Sequence, residues 1–275
     1  MILKEPFQLK EDTYFLIQEW IDQNPNLVAG FTTKNDGFSS SFWESNNFGF
    51  HVGDYKLDVV KNREKLANQL KIDVSSWVCC EQTHGKNVKQ VSDLDKGLGS
   101  IDYDSSITDT DGLYTKEKNI LLGLCFADCV PIYFYEPNTN LIGIVHAGWK
   151  GTVLKIGNEL IDKWEEKGAK IDNISVCIGP SICNTCYIVD NNVIQRIKEL
   201  KIKETDSCYV HKGNGQYSLD LKQLNKVILR DRGIPEENIL MSSYCSSCDH
   251  QYFYSHRRDG GKTGRMMAFI CLKGE

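Results

Sequence analysis

The sequence has no excess of basic residues. Its 275 residues include 32 Lys and Arg against 37 Asp and Glu, which gives a formal net charge of -5. A surface that binds DNA or RNA needs a concentrated positive field, whereas the lysines here are spread along the chain. We therefore expect no nucleic acid among the partners of this protein.

Long apolar runs are also missing. No stretch of the sequence approaches the roughly 18 apolar residues of a membrane-spanning helix, so no membrane partner is expected. Residues 1–6 include an acidic residue and no continuous apolar segment, unlike a secretory signal peptide. We therefore expect a cytoplasmic protein in a reducing compartment. Its eleven cysteines should be thiols, small buried apolar residues or metal ligands rather than disulfides.

Repeats, low-complexity tracts and proline-rich linkers are absent from the sequence, so one domain over residues 1–275 is expected. Short β-rich runs bounded by turn residues predict strands over 119–126, 130–135, 141–145, 174–178 and 266–272. Apolar residues at helical spacing predict helices over 59–70, 153–164, 190–197 and 220–230. Because the strands come partly as hairpins and partly separated by helices, we predict an α+β sandwich rather than a doubly wound parallel sheet.

Two Cys-x-x-Cys pairs, Cys183/Cys186 and Cys245/Cys248, could together form a structural zinc site. However, the 58 residues between Cys186 and Cys245 far exceed the usual zinc-ribbon loop of about 15–20 residues. Distant pairs can still meet in space, but the favoured interpretation is that these four thiols are reduced and buried.

The chain has only six histidines, so the position of each is informative. His84 follows an apolar run and precedes a glycine, Cys129 lies at a break between two predicted strands, and His146 ends the strand predicted over 141–145. If this region forms a hairpin, Cys129 and His146 come side by side. Two imidazoles and one thiolate suit zinc, and three protein ligands leave a fourth position open for catalysis. From spacing alone, structural roles for these residues and a nucleophilic Cys129–His146 pair remain alternatives.

Five segments stand out, at residues 47–54, 81–85, 126–131, 146–151 and 255–259 (NFGFHVGD, EQTHG, FADCVP, HAGWKG and SHRRD). These motifs and their order resemble the YfiH/YlmD family, which carries the older label of laccase-domain polyphenol oxidase, and the resemblance runs from about residue 28 to residue 272. The resemblance implies a single α+β domain with two packed mixed or antiparallel sheets flanked by helices. It also implies a zinc-dependent enzyme that phosphorolyses adenosine, inosine, guanosine and methylthioadenosine and deaminates adenosine. Purine nucleoside and phosphate would then be its partners, and the oligomeric state stays open.

The resemblance places the zinc ligands, which would also be catalytic residues, on His84, Cys129 and His146. It matches Arg63 and Asn47 to family positions near the site. A fixed guanidinium at Arg63 is suited to clamp phosphate in catalysis. The alternative is an ordinary surface arginine on the helix predicted over 59–70.

Other candidates are less specific. His51 could contact substrate or be a core histidine. A cationic cluster near the C-terminus could contact substrate, most directly through Arg258, or form salt bridges on a solvated turn; it consists of Arg257, Arg258 and Arg265. Asp128, which precedes a predicted ligand, could orient His84 or His146 through its second ring nitrogen.

Three other functions remain alternatives. A cysteine or zinc hydrolase that edits cell-wall precursors would use Cys129 as its nucleophile. A copper polyphenol oxidase typically binds its coppers through many histidines in His-x-His pairs, and this chain has six histidines and no such pair. A partner-binding protein without enzymatic activity is the third.

Overall fold

The computed structural model describes residues 4–274, over which the chain forms fifteen strands and six α-helices. In chain order the strands are β1 Phe7–Lys10, β2 Tyr14–Ile17, β3 Leu27–Thr32, β4 Trp77–Cys79, β5 Val88–Gln90, β6 Gly112–Thr115, β7 Leu121–Phe126, β8 Val130–Glu136, β9 Leu141–Ala147, β10 Ser175–Ile178, β11 Ile188–Asp190, β12 Tyr209–Gly213, β13 Gln216–Leu219, β14 Ile239–Met241 and β15 Met266–Leu272. The helices are α1 Gln18–Gln23, α2 Lys56–Leu70, α3 Trp149–Val153, α4 Ile156–Glu165, α5 Asn191–Lys198 and α6 Leu221–Arg232.

The strands form two six-stranded sheets and one three-stranded sheet. The first large sheet has the order β1-β2-β3-β15-β7-β4, the second has the order β14-β10-β8-β9-β6-β5, and the small sheet has the order β11-β13-β12. Most neighbours are antiparallel, while β4–β7, β5–β6 and β10–β14 are parallel. The predicted α+β fold of packed mixed sheets is therefore confirmed, and the small sheet is an addition to it.

The two large sheets pack face to face around a shared apolar core, with β9 lying against β7 and β15. The Tyr133 hydroxyl crosses this interface and donates a 2.7 Å hydrogen bond to the carbonyl of Gly30. Helices cover the outer faces, with α4 and α6 on the second sheet and α2 on the first. Strands β8 and β9 are consequently buried along their whole length.

The helix predictions hold with one correction. Asp190 accepts hydrogen bonds from the N–H groups of Asn192 and Val193 and caps α5, as predicted. The helix predicted over 153–164 is wrong at its start, because the chain breaks between α3 and α4. Lys155 has a left-handed backbone (φ 56°) at this break, which a continuous α-helix does not allow.

Two loops cross from one large sheet to the other at the same end of the sandwich. Residues 80–87 join β4 of the first sheet to β5 of the second, and residues 127–129 join β7 of the first to β8 of the second. The C-terminal end of β9 lies beside the second crossing, since Val130 pairs with Ala147. This end of the molecule therefore collects all three predicted metal ligands.

In the part of the chain that the structure describes, none of the helices combines the length and apolar character needed to cross a membrane.

Candidate active site

His84, Cys129 and His146 lie together where the two loops cross. Their ligand atoms are all within 4.8 Å of one another, and the two imidazole rings are 4.8 Å apart between centroids. In the β8–β9 hairpin Pro131 pairs with His146, which sets Cys129 beside that histidine as predicted. His84 reaches the site from the other crossing with a left-handed backbone, φ 62°. The structure thus brings the three predicted ligands into one cluster.

Asp111 holds this cluster in place, and the sequence analysis missed it. The residue is fully buried directly before β6, and its carboxylate oxygen lies 2.8 Å from Nδ1 of His146. The same carboxylate accepts hydrogen bonds from the backbone N–H groups of Thr83, His84 and Gly85. One carboxylate therefore orients the ring of one predicted ligand, His146, and fixes the loop that carries another, His84. Its signal in the sequence was an Asp-x-Asp pair just before an apolar strand.

Charge coupling favours ionised forms of Cys129 and His146. Burial raises the pKa of the Cys129 thiol, but the neighbouring His146 and His84 outweigh this effect and lower it. Burial lowers the pKa of His146, but the Cys129 sulfur and the Asp111 carboxylate raise it above its ordinary value. A thiolate at Cys129 is the form that binds a metal ion or acts as a nucleophile.

Gly148 leaves space beside the three donors. A Cβ atom at this position would lie 3.0 Å from Cys129 Sγ and 3.1 Å from Cδ2 of His84, so a side chain would intrude on the donors. The backbone of Gly148 therefore forms a close wall of the site. Two imidazole nitrogens and one sulfur with one side left clear form a donor set that can hold a metal ion with an open position.

A cavity of about 400 Å³ opens onto the three donors. This volume lies within the range of about 300–1,000 Å³ typical of small-molecule sites. Aromatic and cationic side chains share its walls; they are Phe50, Tyr103, Tyr187, Arg63, Arg257 and Arg265. Such a lining can stack a flat ring and bind an anion in one space.

Arg63 and Arg265 differ in how many guanidinium N–H groups they can direct toward the cavity. Arg63 is 2% exposed, lies over the Phe50 ring and donates to the carbonyls of Phe48, Gly99 and Ser100. Arg63 is therefore not the surface arginine of the alternative interpretation, and most of its N–H groups are already engaged. Arg265 is bonded to carbonyls through Nη1, so its Nε and Nη2 remain the better donors toward the cavity.

His51 lines the cavity at its mouth, whereas Asn47 lies behind the wall. Desolvation, together with the cations of Arg265 and Arg63, lowers the pKa of His51 to about 4, so the ring is neutral at pH 7. Asn47 is fully buried, and its side chain bonds to Asp54 and to the backbone of Gly49 and Arg265. This places Asn47 as a support for Arg265, and its predicted substrate contact stays a prediction.

The Arg258 side chain points away from the cavity. It forms a salt bridge with Asp259 and donates to the carbonyls of Ser246, Ser247 and Phe253. These bonds match the alternative interpretation, in which Arg258 forms salt bridges on a turn, and they give its predicted substrate contact no support. The adjacent residue, Arg257, does line the cavity.

The proposed orienting role of Asp128 is wrong. Its carboxylate accepts hydrogen bonds from the Ser246 hydroxyl and the backbone N–H of Arg257, and Asp111 orients His146 instead. Asp128 lies at the sheet crossing with a left-handed backbone, φ 89°.

All eleven cysteines fall within residues 4–274 and are free thiols there, as expected. The prediction that the two Cys-x-x-Cys pairs are buried is wrong for three of their four residues: only Cys245 is buried, Cys183 and Cys186 are half-buried, and Cys248 is exposed. The four sulfur atoms nevertheless lie together and form a second group that could hold a metal ion.

Similar proteins are known over the whole chain. The model of a family described as multi-copper polyphenol oxidoreductase laccase matches residues 28–273. The purine nucleoside phosphorylase YlmD of Bacillus subtilis is 47% identical over 98% of both chains. The purine nucleoside phosphorylase YlmD of Geobacillus stearothermophilus is 44% identical over 90% of this chain and 91% of its own.

Solved structures agree with these sequence matches. A crystal structure of the Bacillus licheniformis hypothetical protein YfiH has a TM-score of 0.95 at 46% identity and covers 98% of this chain and 99% of its own. YlmD from Geobacillus stearothermophilus has a TM-score of 0.94 at 40% identity and covers 98% of this chain and 100% of its own. Together with the clustered histidines and cysteine, these matches show that the chain belongs to the YfiH/YlmD family of laccase-like domains.

Proposed function

We propose that this protein is a cytoplasmic, zinc-dependent purine nucleoside phosphorylase that also deaminates adenosine, and that residues 1–275 form its single domain. One observation supports this proposal most strongly. A donor set of His84, Cys129 and His146 forms one end of a cavity with aromatic and cationic walls. The chain is also 47% identical over nearly its full length to a protein named as a purine nucleoside phosphorylase.

Zinc, a borderline-soft ion, fits these donors. Two imidazole nitrogens and one thiolate suit this borderline-soft ion, and a site with three protein ligands is typical of catalytic zinc. When bound, zinc would supply positive charge and a Lewis acid at the end of the cavity. Asp111 would keep the His146 ring oriented by accepting from Nδ1, which leaves Nε2 to face the ion.

The cavity walls offer separate surfaces for a purine and for phosphate. Phe50, Tyr103 and Tyr187 present aromatic rings that can stack against a purine. Arg265 and Arg257 can donate charge-assisted hydrogen bonds to phosphate, while Arg63 contributes a fixed positive charge behind them. We propose that His51 contacts the nucleoside as a neutral hydrogen-bonding group, consistent with its lowered pKa of about 4.

In phosphorolysis a phosphate oxygen bonds to the ribose C1′ while the bond from C1′ to the purine nitrogen breaks. The electron pair of that bond leaves with the purine. The arginines hold the attacking anion close to C1′, which lowers the entropic part of the barrier. In deamination, the oxygen of water instead bonds to the purine carbon that bears the amino group, and the bond from that carbon to the amino nitrogen breaks with release of ammonia. This reaction uses no phosphate and does not need the anion-binding arginines.

A cysteine hydrolase is the second candidate, because the Cys129 thiol has a lowered pKa beside His146. A Cys129 thiolate that serves as a zinc ligand would also have a lowered pKa beside His146 when the metal is absent. The two functions differ in what is turned over, so a substrate assay separates them.

The deciding experiment is a chromatographic assay of adenosine and inosine with and without phosphate. We expect free purine and ribose 1-phosphate only when phosphate is present, inosine from adenosine in either case, and loss of both activities in His146→Ala. His211→Ala, an exposed histidine on β12, is the matched control and should keep both activities. If neither nucleoside turns over in zinc-replete protein, the proposed function is wrong.

A further inference from the structure

The two Cys-x-x-Cys pairs form a compact cluster outside the walls of the candidate active site. The sulfur atom of Cys248 lies 3.4 Å from that of Cys186 and 3.9 Å from that of Cys183, and all four sulfurs are within 4.8 Å of one another. Zinc at about 2.3 Å from four thiolates requires a tetrahedron with edges of about 3.8 Å. The sulfur atoms therefore already have nearly the spacing that one zinc ion needs.

Hydrogen-bond donors surround these sulfurs. The backbone N–H groups of Cys183 and Cys248 point to the sulfur of Cys245, at 3.2 and 3.4 Å. The hydroxyl of Thr185 lies 3.0 Å from the sulfur of Cys183. Donors of this kind stabilise the negative charge of thiolate ligands and fix their orientation.

A buried cation lies next to the cluster. The ammonium group of Lys222 on α6 donates to the carbonyls of Ser242 and Tyr244, in the segment that leads to Cys245. Lys222 is 6% exposed, so its charge is withdrawn from solvent. A nearby site with four thiolates and one divalent ion would carry net negative charge, which this ammonium would offset.

We propose that Cys183, Cys186, Cys245 and Cys248 bind one structural zinc ion. Four thiolates complete a tetrahedral shell and leave no open position, which distinguishes this site from the one at His84, Cys129 and His146. The long sequence gap is bridged by the fold. Strands β10 and β14 are parallel neighbours, and an isolated bridge between Ser181 and Cys245 continues their pairing.

This ion joins two loops that both hold Asp128. The N–H of Ile182 donates to the Asp128 carbonyl at 3.0 Å, and the Ser246 hydroxyl donates to its carboxylate at 2.6 Å. Asp128 directly precedes Cys129. The structural zinc therefore braces, through these two loops, the chain segment that carries a ligand of the candidate active site.

The test counts zinc in protein purified under reducing conditions and equilibrated with zinc. We expect two zinc ions per chain in the wild type and one in His84→Ala/His146→Ala. Adding Cys186→Ser and Cys248→Ser to that variant should remove the remaining ion. Cys208→Ala in the same background is the matched control, since Cys208 lies outside the cluster, and it should keep one ion.

A second measurement applies if the serine variants do not fold. Cobalt bound to His84→Ala/His146→Ala should show the intense thiolate-to-cobalt charge-transfer absorption of four sulfur ligands. A histidine variant that binds no metal, or whose intact mass shows the four thiols joined as disulfides, would overturn the structural zinc site. Failure of the proposed function has a different signature: purines are not turned over, whatever the metal content of the cysteine cluster.

Discussion

Asp111 supports the candidate site although it is not one of the three predicted metal ligands. It orients the His146 ring and accepts three backbone N–H groups from the loop around His84. Asp111→Asn keeps the shape of the side chain but removes its charge. We expect zinc affinity at the active site to fall about 10–100-fold, as is typical when a group that orients a ligand is lost.

Competition with a chromophoric zinc chelator measures this affinity. The matched control is Asp109→Asn, because Asp109 is exposed two residues earlier and bonds to the Thr83 hydroxyl rather than to a ligand ring. Equal zinc affinities in wild type and Asp111→Asn would show that the carboxylate only supports folding.

Cys129 offers a second prediction, which separates a metal ligand from a nucleophile. In zinc-replete protein we expect Cys129 to resist alkylation until a chelator removes the ion, because coordination occupies the sulfur lone pair. Cys129→Ser should lose zinc and activity together, since a hydroxyl is far less acidic than a thiol.

The measurement is the alkylation rate of Cys129 by peptide mass spectrometry with and without chelator. Buried Cys177 is an internal reference that should stay unlabelled in both conditions. Rapid labelling of Cys129 in the presence of zinc would support the cysteine-hydrolase alternative.

The cluster of candidate metal ligands could be predicted at this scale, whereas the carboxylate that supports it could not. His84, Cys129 and His146 stand at strand ends in a chain with few histidines, so residue type and position were informative. Asp111 was missed because its role depends on the pairing of β6 with β9, which sets it beside His146. Asp128 was considered for this role because it is adjacent in sequence to a predicted ligand, but its carboxylate accepts a hydrogen bond from Ser246 instead.

Among the elements, the β8–β9 hairpin positions two of the three predicted ligands, and Glu136 lies at its turn. This fully buried carboxylate accepts hydrogen bonds from Thr139 and Asn138. Burial raises the pKa of Glu136, but these hydrogen bonds lower it below the ordinary value. The stabilisation from the ionised form is therefore present above the pKa of an exposed glutamate and is lost as the pH falls through the lowered value.

We expect Glu136→Gln to lower the free energy of unfolding by about 1–3 kcal/mol at pH 7, as for hydrogen bonds to a charged group. The difference from wild type should shrink as the pH falls through the acidic range, because protonated glutamate resembles glutamine. Urea unfolding at several pH values measures this difference in the free energy of unfolding. Glu237→Gln, at an exposed position, is the control, and a deficit independent of pH would contradict the role of the charge.

The ends of the strands depend on contacts with residues that are distant in the sequence. The strand predicted to end at residue 145 continues to Ala147 because the N–H of His146 donates to the carbonyl of Asp111 at 2.7 Å. The small sheet was not predicted because β12 is largely exposed and lacks the apolar alternation of a half-buried strand.

For the whole molecule, the interface between the two large sheets determines stability. Tyr133→Phe removes the buried hydrogen bond from its hydroxyl to Gly30 while keeping the ring. We expect the free energy of unfolding to fall by about 1–2 kcal/mol, measured by urea unfolding. Tyr55→Phe, at a side chain 64% exposed, should change it by less than about 0.5 kcal/mol, and equal losses in both variants would contradict this account.

The class of the fold was predictable because apolar periodicity reports which faces are buried. The order of strands was not, since β15 from the end of the chain lies between β3 and β7. Likewise, the distance between the two Cys-x-x-Cys pairs in sequence gave no sign that the parallel pairing of β10 with β14 brings them together.

His84 and Cys129 lie on loops that cross between the two large sheets, so the proposed metal ion would link the sheets at this end of the sandwich. An ion bound at both loops would favour one alignment of the sheets, and a shift of one sheet against the other would change the spacing of the donors. Since an ion that binds only the folded state stabilises it by about 1.4 kcal/mol for every tenfold gain in affinity, alignment and metal occupancy rise and fall together. We therefore expect a destabilising substitution deep in the shared core to weaken metal binding to the protein, and removal of the proposed ion to lower the free energy of unfolding.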